Sequence, residues 1–529
     1  MAPLDIVIVI LYMITMMVIG FALGRENKTS EDYFLAGRSM SWFPVALSVA
    51  ATMISANSFI GGPGWAYTDG IEPFMQNITV PLACFFAVTV TVPVFYHLRV
   101  SSVYEYMELR LGSWSRNLAV AQFFINSLIQ VSSMVFVPAL IIQTITGWEL
   151  HIVVPVIVLC AITYTITGGI KAVIWTDAIQ MVVLWTGILV ILFTAVDSTG
   201  LGWSATLAQA AEAGKFDAFD FSPTLTDTNA FLCSCFGIFM WTRYFCFDQA
   251  QMQRILTSKS MKGIKRSFVT SSVLMNLMYF LMLFVGTIFF VTYGGKQFST
   301  ANEIMIDFIL NHLPVGIVGL IIAAVFAAAM SSIDSLFNSM TTVFTTDIYE
   351  RYWKKDSKGV TLKQTMFLSL ILGIVIVFIV LLGFGNTITS VLDVVGNYIS
   401  FFAGPSLGAF LLAMFTTRAN DKGTAGGFVV GFAAGYMIAQ RFDTSWLVNP
   451  AIGASITFFV GYLLSCVIKS DKAGDAVRCY TAKGLREKII VDSGSTEDGV
   501  SVLPFSIDKY SCALLLMFLL QYVVLFLIR

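Results

Sequence analysis

Apolar residues come in runs of about twenty or more, and this feature constrains the fold more than any other. A run of that length can cross roughly 30 Å of hydrocarbon as a helix. Lipid offers no partner for unpaired backbone groups, so a spanning segment must be a helix or part of a closed barrel. A barrel would show short segments of alternating hydrophobicity, which this sequence lacks. With 57% hydrophobic and only 12% charged residues, the chain is predicted to be an all-α integral membrane protein.

About fourteen transmembrane helices are predicted, and the positive charges set their orientation. The spans cover about residues 5–23, 43–60, 72–97, 115–145, 151–168, 171–196, 229–249, 267–294, 313–348, 364–384, 388–416, 424–440, 449–468 and 508–528. With the N-terminus outside, 26 of the 31 Lys and Arg residues fall on the cytoplasmic side, 4 fall outside and Arg243 lies within a span. Because positive residues favour the cytoplasmic side, we expect a multi-pass protein of the cell membrane with both termini outside.

Composition excludes several function classes. The net charge of −1 gives no basic surface for nucleic acid. Eight cysteines without a CxxC motif, beside three histidines, indicate small core residues and no transition-metal site. The sequence has no HExxH or GxSxG motif that would indicate an enzyme, and no repeated charged rings or filter loops typical of a channel. The long stretches outside the membrane, 197–228 and 470–504, are too short for a separate domain, and no protein partner is evident.

The second span is interrupted by small and polar residues before it ends in Gly61-Gly62-Pro63-Gly64. A helix broken at membrane depth frees backbone carbonyls, which is tolerated where they line a cavity or bind an ion. The alternative is an unbroken helix whose small residues pack closely against a neighbour.

The ninth span carries oxygen-bearing side chains on one helical face. Ser331, Asp334 and Ser335 share that face with Ala328, at intervals of three, six and seven residues. Hydroxyl and carboxylate oxygens suit sodium, and an acidic group in mid-membrane is costly without a partner. Alternatively, the serines bond back to carbonyls of their own helix.

Two further charged residues in spans have two interpretations each. Asp177, in the sixth span, either pairs with Lys171 or helps to hold a cation. Arg243 either binds the carboxylate of an anionic solute such as a sugar acid, or pairs internally with Asp248 or Asp334.

In combination, four motifs resemble the sodium/solute symporter family, which includes bacterial sugar, sialic acid, proline and pantothenate carriers. The motifs lie at residues 31–38, 168–180, 251–254 and 328–349. The resemblance is nearest to the sodium/sugar and sodium/sialic acid branches. It implies a LeuT-like core of two inverted five-helix repeats, at 43–196 and 229–416. Around this core lie an extra helix with its loop at 1–42, an external loop at 197–228, and extra C-terminal helices at 417–529 with a cytoplasmic loop at 470–504.

The resemblance also implies where the sodium ions bind. One sodium would be held by the carbonyls of Ala51, Ile54 and Ala328 and the hydroxyls of Ser331 and Ser332. A second, found in some relatives, would use positions that match Asp177, Ser331, Asp334 and Ser335. Asp334 replaces a serine of that pattern, so it either strengthens the second site or pairs with a cation and abolishes it.

The solute positions of the family fall on amides, hydroxyls and aromatic side chains, which suit a small polar solute. They match Asn57, Ser58, Asn77, Gln130, Trp241, Arg243, Tyr244 and Asn397. The glutamate and lysine of the galactose carrier and the third-helix arginine of the sialic acid carrier are missing, so neither substrate transfers directly. The expected function is sodium-coupled import of a sugar or sugar acid by alternating access. The alternatives are symport of a small carboxylate or another organic solute, and a proton-coupled or uniporting carrier of the same fold.

Overall fold

The computed structural model describes residues 2–25, 27–353, 360–383, 391–468, 474–492 and 495–529. The helices up to the first long loop are α1 Pro3–Gly24, α2 Ser30–Leu35, α3 Trp42–Met53, α4 Ala56–Asp69, α5 Val80–Phe86, α6 Val92–Leu98, α7 Val103–Arg110, α8 Ser113–Thr146, α9 Leu150–Thr199 and α10 Trp203–Glu212. Those that follow are α11 Ala230–Phe247, α12 Gln249–Leu256, α13 Met261–Thr292, α14 Ala301–Asn311, α15 Ile317–Val343, α16 Leu362–Gly383, α17 Val391–Phe415, α18 Asp421–Phe442, α19 Asn449–Val467, α20 Ala482–Asp492 and α21 Lys509–Ile528.

Shorter segments complete the chain. Tighter 3-10 turns cover Ala36–Arg38, Glu72–Asn77 and Gly474–Tyr480, and wider π-helical turns cover Ala87–Thr91 and Phe344–Trp353. Two short strands, β1 Thr496–Glu497 and β2 Val500–Ser501, pair antiparallel in a hairpin. In the described part of the chain no other strand pairs are present, so the predicted all-helical architecture is confirmed.

Ten helical runs in the described residues are long and apolar enough to cross a membrane, and the bent pair α3 and α4 makes an eleventh. One of the ten, α9, spans 50 residues and is divided at Gly169, which has a φ of 59°. A Cβ atom there would lie 2.7 Å from the carbonyl oxygen of Tyr33, so this position favours glycine for its conformation and for space. The division coincides with the predicted boundary between the fifth and sixth spans. The total of fourteen stays a prediction.

Two helices of the core are interrupted by extended residues, Ile54 and Ser55 in the first and Asp248 in the second. After α3 ends at Met53, Ile54 is extended, with φ −99° and ψ 93°, and the following helix α4 is bent by 60° from α3. After α11 ends at Phe247, Asp248 is extended, with φ −88° and ψ 130°. Each interruption leaves helix-terminal backbone groups that need other partners. The predicted break in the second span is therefore present, and a second break lies in the seventh.

The helices differ in how deeply they are enclosed. Every residue of α15 from Ile321 to Val343 is buried, and α15 packs against α3, α8 and α9. In contrast, only 11% of the apolar stretch of α1 and 17% of that of α21 is buried. A helix that is apolar on all sides and little buried faces lipid, so α15 is central and α1 and α21 are peripheral.

Candidate functional site

The break at Ile54 leaves carbonyl oxygens that hydroxyl groups of α15 reach. The Oγ of Ser331 donates to the carbonyl of Ala51 at 3.3 Å and to that of Ala328 at 3.2 Å. The Oγ of Ser332 donates to the carbonyl of Thr52 at 3.2 Å. We call these three carbonyls and two hydroxyls the break site. It is closed to solvent, because Ala51, Ala328, Ser331 and Ser332 are at most 1% exposed.

The break site contains most of the residues predicted for the first sodium. Ala51, Ala328, Ser331 and Ser332 are brought together by α3 and α15, and Ile54 is the extended residue beside them. The sequence argument missed Thr52, whose carbonyl lies within the last turn before the break. All these groups are uncharged oxygen ligands of the hard type that sodium prefers. Of their three hydrogen bonds, the one from Ser331 to Ala328 stays within a single helix, and the other two join α15 to α3.

The residues predicted for a second sodium surround a buried arginine, Arg254. Its Nε donates to the Oγ of Ser48 at 2.9 Å and lies 3.5 Å from Oδ2 of Asp177, and its Nη2 donates to Ser335. Ser48 also donates to Asp177 Oδ2, at 2.6 Å. Asp334, on the other side of Ser335, accepts a hydrogen bond from Tyr164 at 2.6 Å. We call Ser48, Tyr164, Asp177, Arg254, Asp334 and Ser335 the Arg254 cluster.

Arg254 corrects the sequence analysis, which counted it among the cytoplasmic residues. It is fully buried on α12, the short helix after the second break. The basic group beside Asp177 is therefore Arg254, whereas the sequence analysis considered Lys171 as the ion-pair partner of Asp177. Within the described residues the cluster holds two carboxylates and one guanidinium, and Oδ1 of Asp177 has no hydrogen-bond partner. One oxygen of Asp177 is therefore left for a further ligand.

Three of the predicted solute residues lie at contacts between α8, α11 and the turn before α5. Gln130 Nε2 donates to the hydroxyl of Tyr244 at 2.8 Å. Trp241 Nε1 donates to the carbonyl of Gln76 at 2.6 Å, and the Trp241 and Tyr244 ring centroids are 6.0 Å apart. Gln76 was missed by the sequence argument, although it adjoins the predicted Asn77.

Unpartnered polar atoms accompany these contacts. Asn57 Oδ1 and Gln76 Nε2 are buried and make no hydrogen bond to any described residue. Ser58 follows Asn57 in the first turn of α4, and Asn77 is 4% exposed. Asn397 lies on α17, but its side chain is outside the described part of the chain. Buried polar atoms without partners are typical of sites that a ligand or water completes.

Arg243 is paired within the protein. Its Nη1 donates to Asp248 Oδ2 at 2.7 Å, so Asp248, and not Asp334, is its partner. Its guanidinium carbon also lies 5.2 Å from the centre of the Tyr244 ring. Nε of Arg243 has no partner among the described residues, which leaves one donor for another group.

An ion network joins α7, α8 and the end of the long α15 span. Arg116 donates to Asp347 Oδ1 from Nε at 2.8 Å, and it also contacts Glu108, which accepts from Arg351 as well. We call these four residues the Arg116 cluster. Partial burial raises the pKa of Glu108, but the hydrogen bond from Arg351 and the charges of both arginines outweigh it and hold that pKa below its ordinary value.

Comparison with known proteins identifies relatives that align with most of this chain. The model of the "Sodium:solute symporter family" matches residues 33–431. The sodium/sialic acid symporter NanT of Aliivibrio fischeri is 27% identical and aligns over 88% of this chain and 94% of its own length. SiaT of Proteus mirabilis, also a sodium/sialic acid symporter, is 29% identical over 85% and 92%. Sodium/glucose cotransporter 4 of Danio rerio is 29% identical over 82% and 71%.

Comparison with solved structures also identifies a sodium-coupled symporter as similar to this chain. A Na+-coupled sialic acid symporter, in a substrate-bound outward-open state, superposes with a TM-score of 0.80 at 27% identity, over 88% of this chain and 98% of that one. Mhp1, a transporter of the nucleobase-cation-symport-1 family, shares the fold alone, with a TM-score of 0.55 at 12% identity over 85% and 97%. The predicted LeuT-like core is thereby confirmed, as is a transporter rather than an enzyme. The chain belongs to the sodium:solute symporter family and is a sodium-coupled membrane symporter.

Proposed function

We propose that the chain imports a sugar acid of the sialic acid class together with sodium, by alternating access. The observation that carries the coupling mechanism is the break site, where carbonyls freed in α3 meet two seryl hydroxyls of α15. Sodium bound there would bridge the two helices. Because such a bridge exists only in one arrangement of α3 and α15, it favours that arrangement by differential affinity, which is what coupling requires.

The first sodium site would consist of the predicted ligands Ala51, Ile54, Ala328, Ser331 and Ser332, with Thr52 added. The unpartnered Oδ1 of Asp177 and the nearby carboxyl group of Asp334 support a second sodium next to these two residues. Arg254 already engages Ser335, so that hydroxyl is a weaker candidate than the two carboxylates.

The solute would occupy the space bounded by Asn57, Gln76, Gln130 and Tyr244. Amides and a phenol can bond the hydroxyls and the acetamido group of a sialic acid, and an aromatic ring can cover one face of a sugar. Its carboxylate would meet the free Nε of Arg243. The two bacterial relatives that transport sialic acid support this class, whereas the glucose transporters support a neutral sugar as the alternative.

Sodium would enter from outside and leave to the cytoplasm, with both termini outside. The distribution of Lys and Arg supports this orientation. An inside-negative potential contributes about 2.3 kcal/mol per charge per 100 mV to the inward movement of sodium.

Uptake by the purified protein in liposomes tests the proposal. Radiolabelled N-acetylneuraminic acid, glucose and a small carboxylate such as lactate are offered with an inward gradient of sodium chloride or of choline chloride. We expect accumulation of N-acetylneuraminic acid with sodium only. Accumulation of glucose or lactate instead would replace the substrate and keep the coupling, whereas equal uptake in choline would contradict sodium coupling.

A further inference from the structure

Three amide side chains follow one another along the first half of α8, and two of them have no role in the sites described above. Gln122, Asn126 and Gln130 are four residues apart, which places them near one face of the helix, one turn after another. Gln130 contacts Tyr244 at the proposed solute site. Along the helix axis, Asn126 lies about 6 Å and Gln122 about 12 Å from Gln130, toward the start of α8.

Both side chains are enclosed without partners. Gln122 is 3% exposed and Asn126 is 2% exposed. Neither amide atom of Gln122, nor Oδ1 of Asn126, has a hydrogen-bond partner among the described residues. Burial of an amide without a hydrogen bond is unfavourable, and folded proteins rarely leave such groups unpaired. The two amides therefore mark a place that a polar molecule reaches in some state of the protein.

The segment Phe344–Trp353, which packs against a neighbouring face of α8, holds another unpartnered polar atom. Phe344 packs against Phe124, with ring centroids 6.2 Å apart, and Asp347 accepts from Arg116. Thr345 lies between these two contacts, is fully buried, and its Oγ1 has no partner in the described part of the chain. Gln122 lies between Arg116 and Phe124 on α8. The unpartnered groups of the two segments thus lie at a similar depth along α8, but Gln122 and Thr345 are on different faces of that helix.

The lower end of this stretch opens into a cavity. A cavity of about 640 Å³ is lined by Arg116, Glu108 and Thr346, among other residues. Arg116 is six residues before Gln122, or about 9 Å along the helix. The amide row therefore runs from the proposed solute site at Gln130 toward the end of α8 at which this cavity lies.

We propose that Gln122 and Asn126 form a release station, a second and transient binding site for the solute on its way to the cytoplasm. Its hydrogen-bonding groups are neutral amides, so it would accept a hydroxylated or amide-bearing solute whether that solute is charged or neutral. The amide atoms named above have no hydrogen-bond partner among the described residues in this arrangement, which is unfavourable for buried amides. Opening to the cytoplasm would give these amides polar partners and admit the solute. The proposal rests on the proposed function for the identity of the solute, but not for access to the station.

Access is tested first, without any solute. Gln122→Cys and Asn126→Cys are introduced separately, and a membrane-impermeant methanethiosulfonate is added from the cytoplasmic side, in choline or in sodium. Ile125→Cys is the matched control, because the side chain of Ile125 is 46% exposed and lies outside the amide row. We expect labelling at 122 and 126 in choline at least tenfold faster than in the parent or the control, and slower labelling in sodium. Labelling at the parental rate in both ions, in variants that still melt like the parent, would overturn the station.

Transport then tests contact with the solute. In Gln122→Leu the maximal rate of sodium-driven N-acetylneuraminic acid uptake should fall about tenfold, while equilibrium binding of N-acetylneuraminic acid in sodium stays within twofold of the parent. Ile125→Leu should match the parent in both. An unchanged rate, or equal losses of rate and binding, would overturn the proposal. If the parent itself transports glucose or lactate in the liposome experiment, that solute replaces N-acetylneuraminic acid, and failure of the substrate assignment is thereby separated from failure of the station.

Discussion

Arg254 connects three core elements through one side chain. It donates to the carbonyl of Ala250 on its own helix at 2.6 Å, to Ser48 on α3 at 2.9 Å, and to Ser335 on α15. Its charge lies near Asp177 on α9. A buried charge is tolerated where partners surround it, and removal of one partner leaves the others uncompensated.

Arg254→Met should therefore destabilise the protein strongly. We expect a loss of about 3 kcal/mol or more, because Asp177 and Asp334 would remain buried without a cation. Thermal unfolding in detergent, read by intrinsic fluorescence, measures this effect. The double variant Arg254→Met/Asp177→Asn should regain a good part of the loss, since it removes one of the two charges. A single variant as stable as the parent would show that Arg254 does not balance these carboxylates.

The residues of the candidate site could be predicted from the sequence where a family motif and a helical period coincide. Spacing predicted that Ser331, Asp334 and Ser335 share one face of α15, whereas the placement of Ser331 and Ser332 against α3 was implied only by the resemblance to the family. Arg254 could not be placed, because a short polar helix after a break looks like a cytoplasmic loop in composition. Likewise, Gln76 and Asn77 are adjacent amides in an apolar span, and no period distinguishes the one that faces the site.

At the scale of elements, the helix that follows the break at Ile54 is closely packed against a neighbour. α4 is held against α13 by small residues: a Cβ at Gly286 would lie 2.1 Å from the carbonyl oxygen of Pro63 and 2.8 Å from Cβ of Ala66. The position of α4 therefore leaves no room for a side chain there. The two breaks also support the predicted repeats at 43–196 and 229–416, whose boundaries stay a prediction.

Gly286→Ala should push α4 away from α13. We expect a loss of stability of about 1–3 kcal/mol, as for overpacked cores, together with reduced sodium-driven uptake. Gly263→Ala on the same helix is the matched control: its Cβ would come no closer than 3.6 Å to a neighbour, so the higher helix propensity of alanine should leave stability equal or higher. Equal melting of Gly286→Ala and the parent would show that the two helices are free to separate.

For the whole molecule, we infer that the Arg116 cluster keeps the proposed cytoplasmic side closed, because it links α7, α8 and the segment Phe344–Trp353. The chain after α19 covers the same region, where the hydroxyl of Tyr106 donates to the carbonyl of Tyr480 at 3.1 Å. Hydropathy predicts that this segment lies outside the membrane, but not that it packs on the core, because its contacts are long-range hydrogen bonds without a sequence period.

Glu108→Gln should weaken this closure. We expect the inward-open state to become more populated, so that the sodium concentration for half-maximal uptake rises several-fold, since fewer molecules present the outward site. Because the pKa of Glu108 is lowered in the folded protein, its stabilisation is complete above the unfolded value of about 4.3 and is lost only as pH falls through the lower folded value. Closure should thus be unchanged between about pH 7 and 5.5.

Glu487→Gln is the control for this charge change, because Glu487 forms an exposed pair with Arg478. Such pairs contribute little, and the sodium dependence of this variant should equal that of the parent. An equal response of both variants would contradict a specific role of Glu108.

The central claim is that sodium binds between the break in α3 and the seryl face of α15, and sodium titration of the purified protein by calorimetry, without solute, tests it most directly. Ser332→Ala removes one ligand and should weaken sodium binding about 10- to 100-fold, the effect of one lost bond to a charged group. Ser339→Ala removes a hydroxyl that donates to the carbonyl of Ser335 on the same helix, and this variant should bind sodium like the parent. Parental affinity in Ser332→Ala, or equal weakening in both variants, would contradict the account.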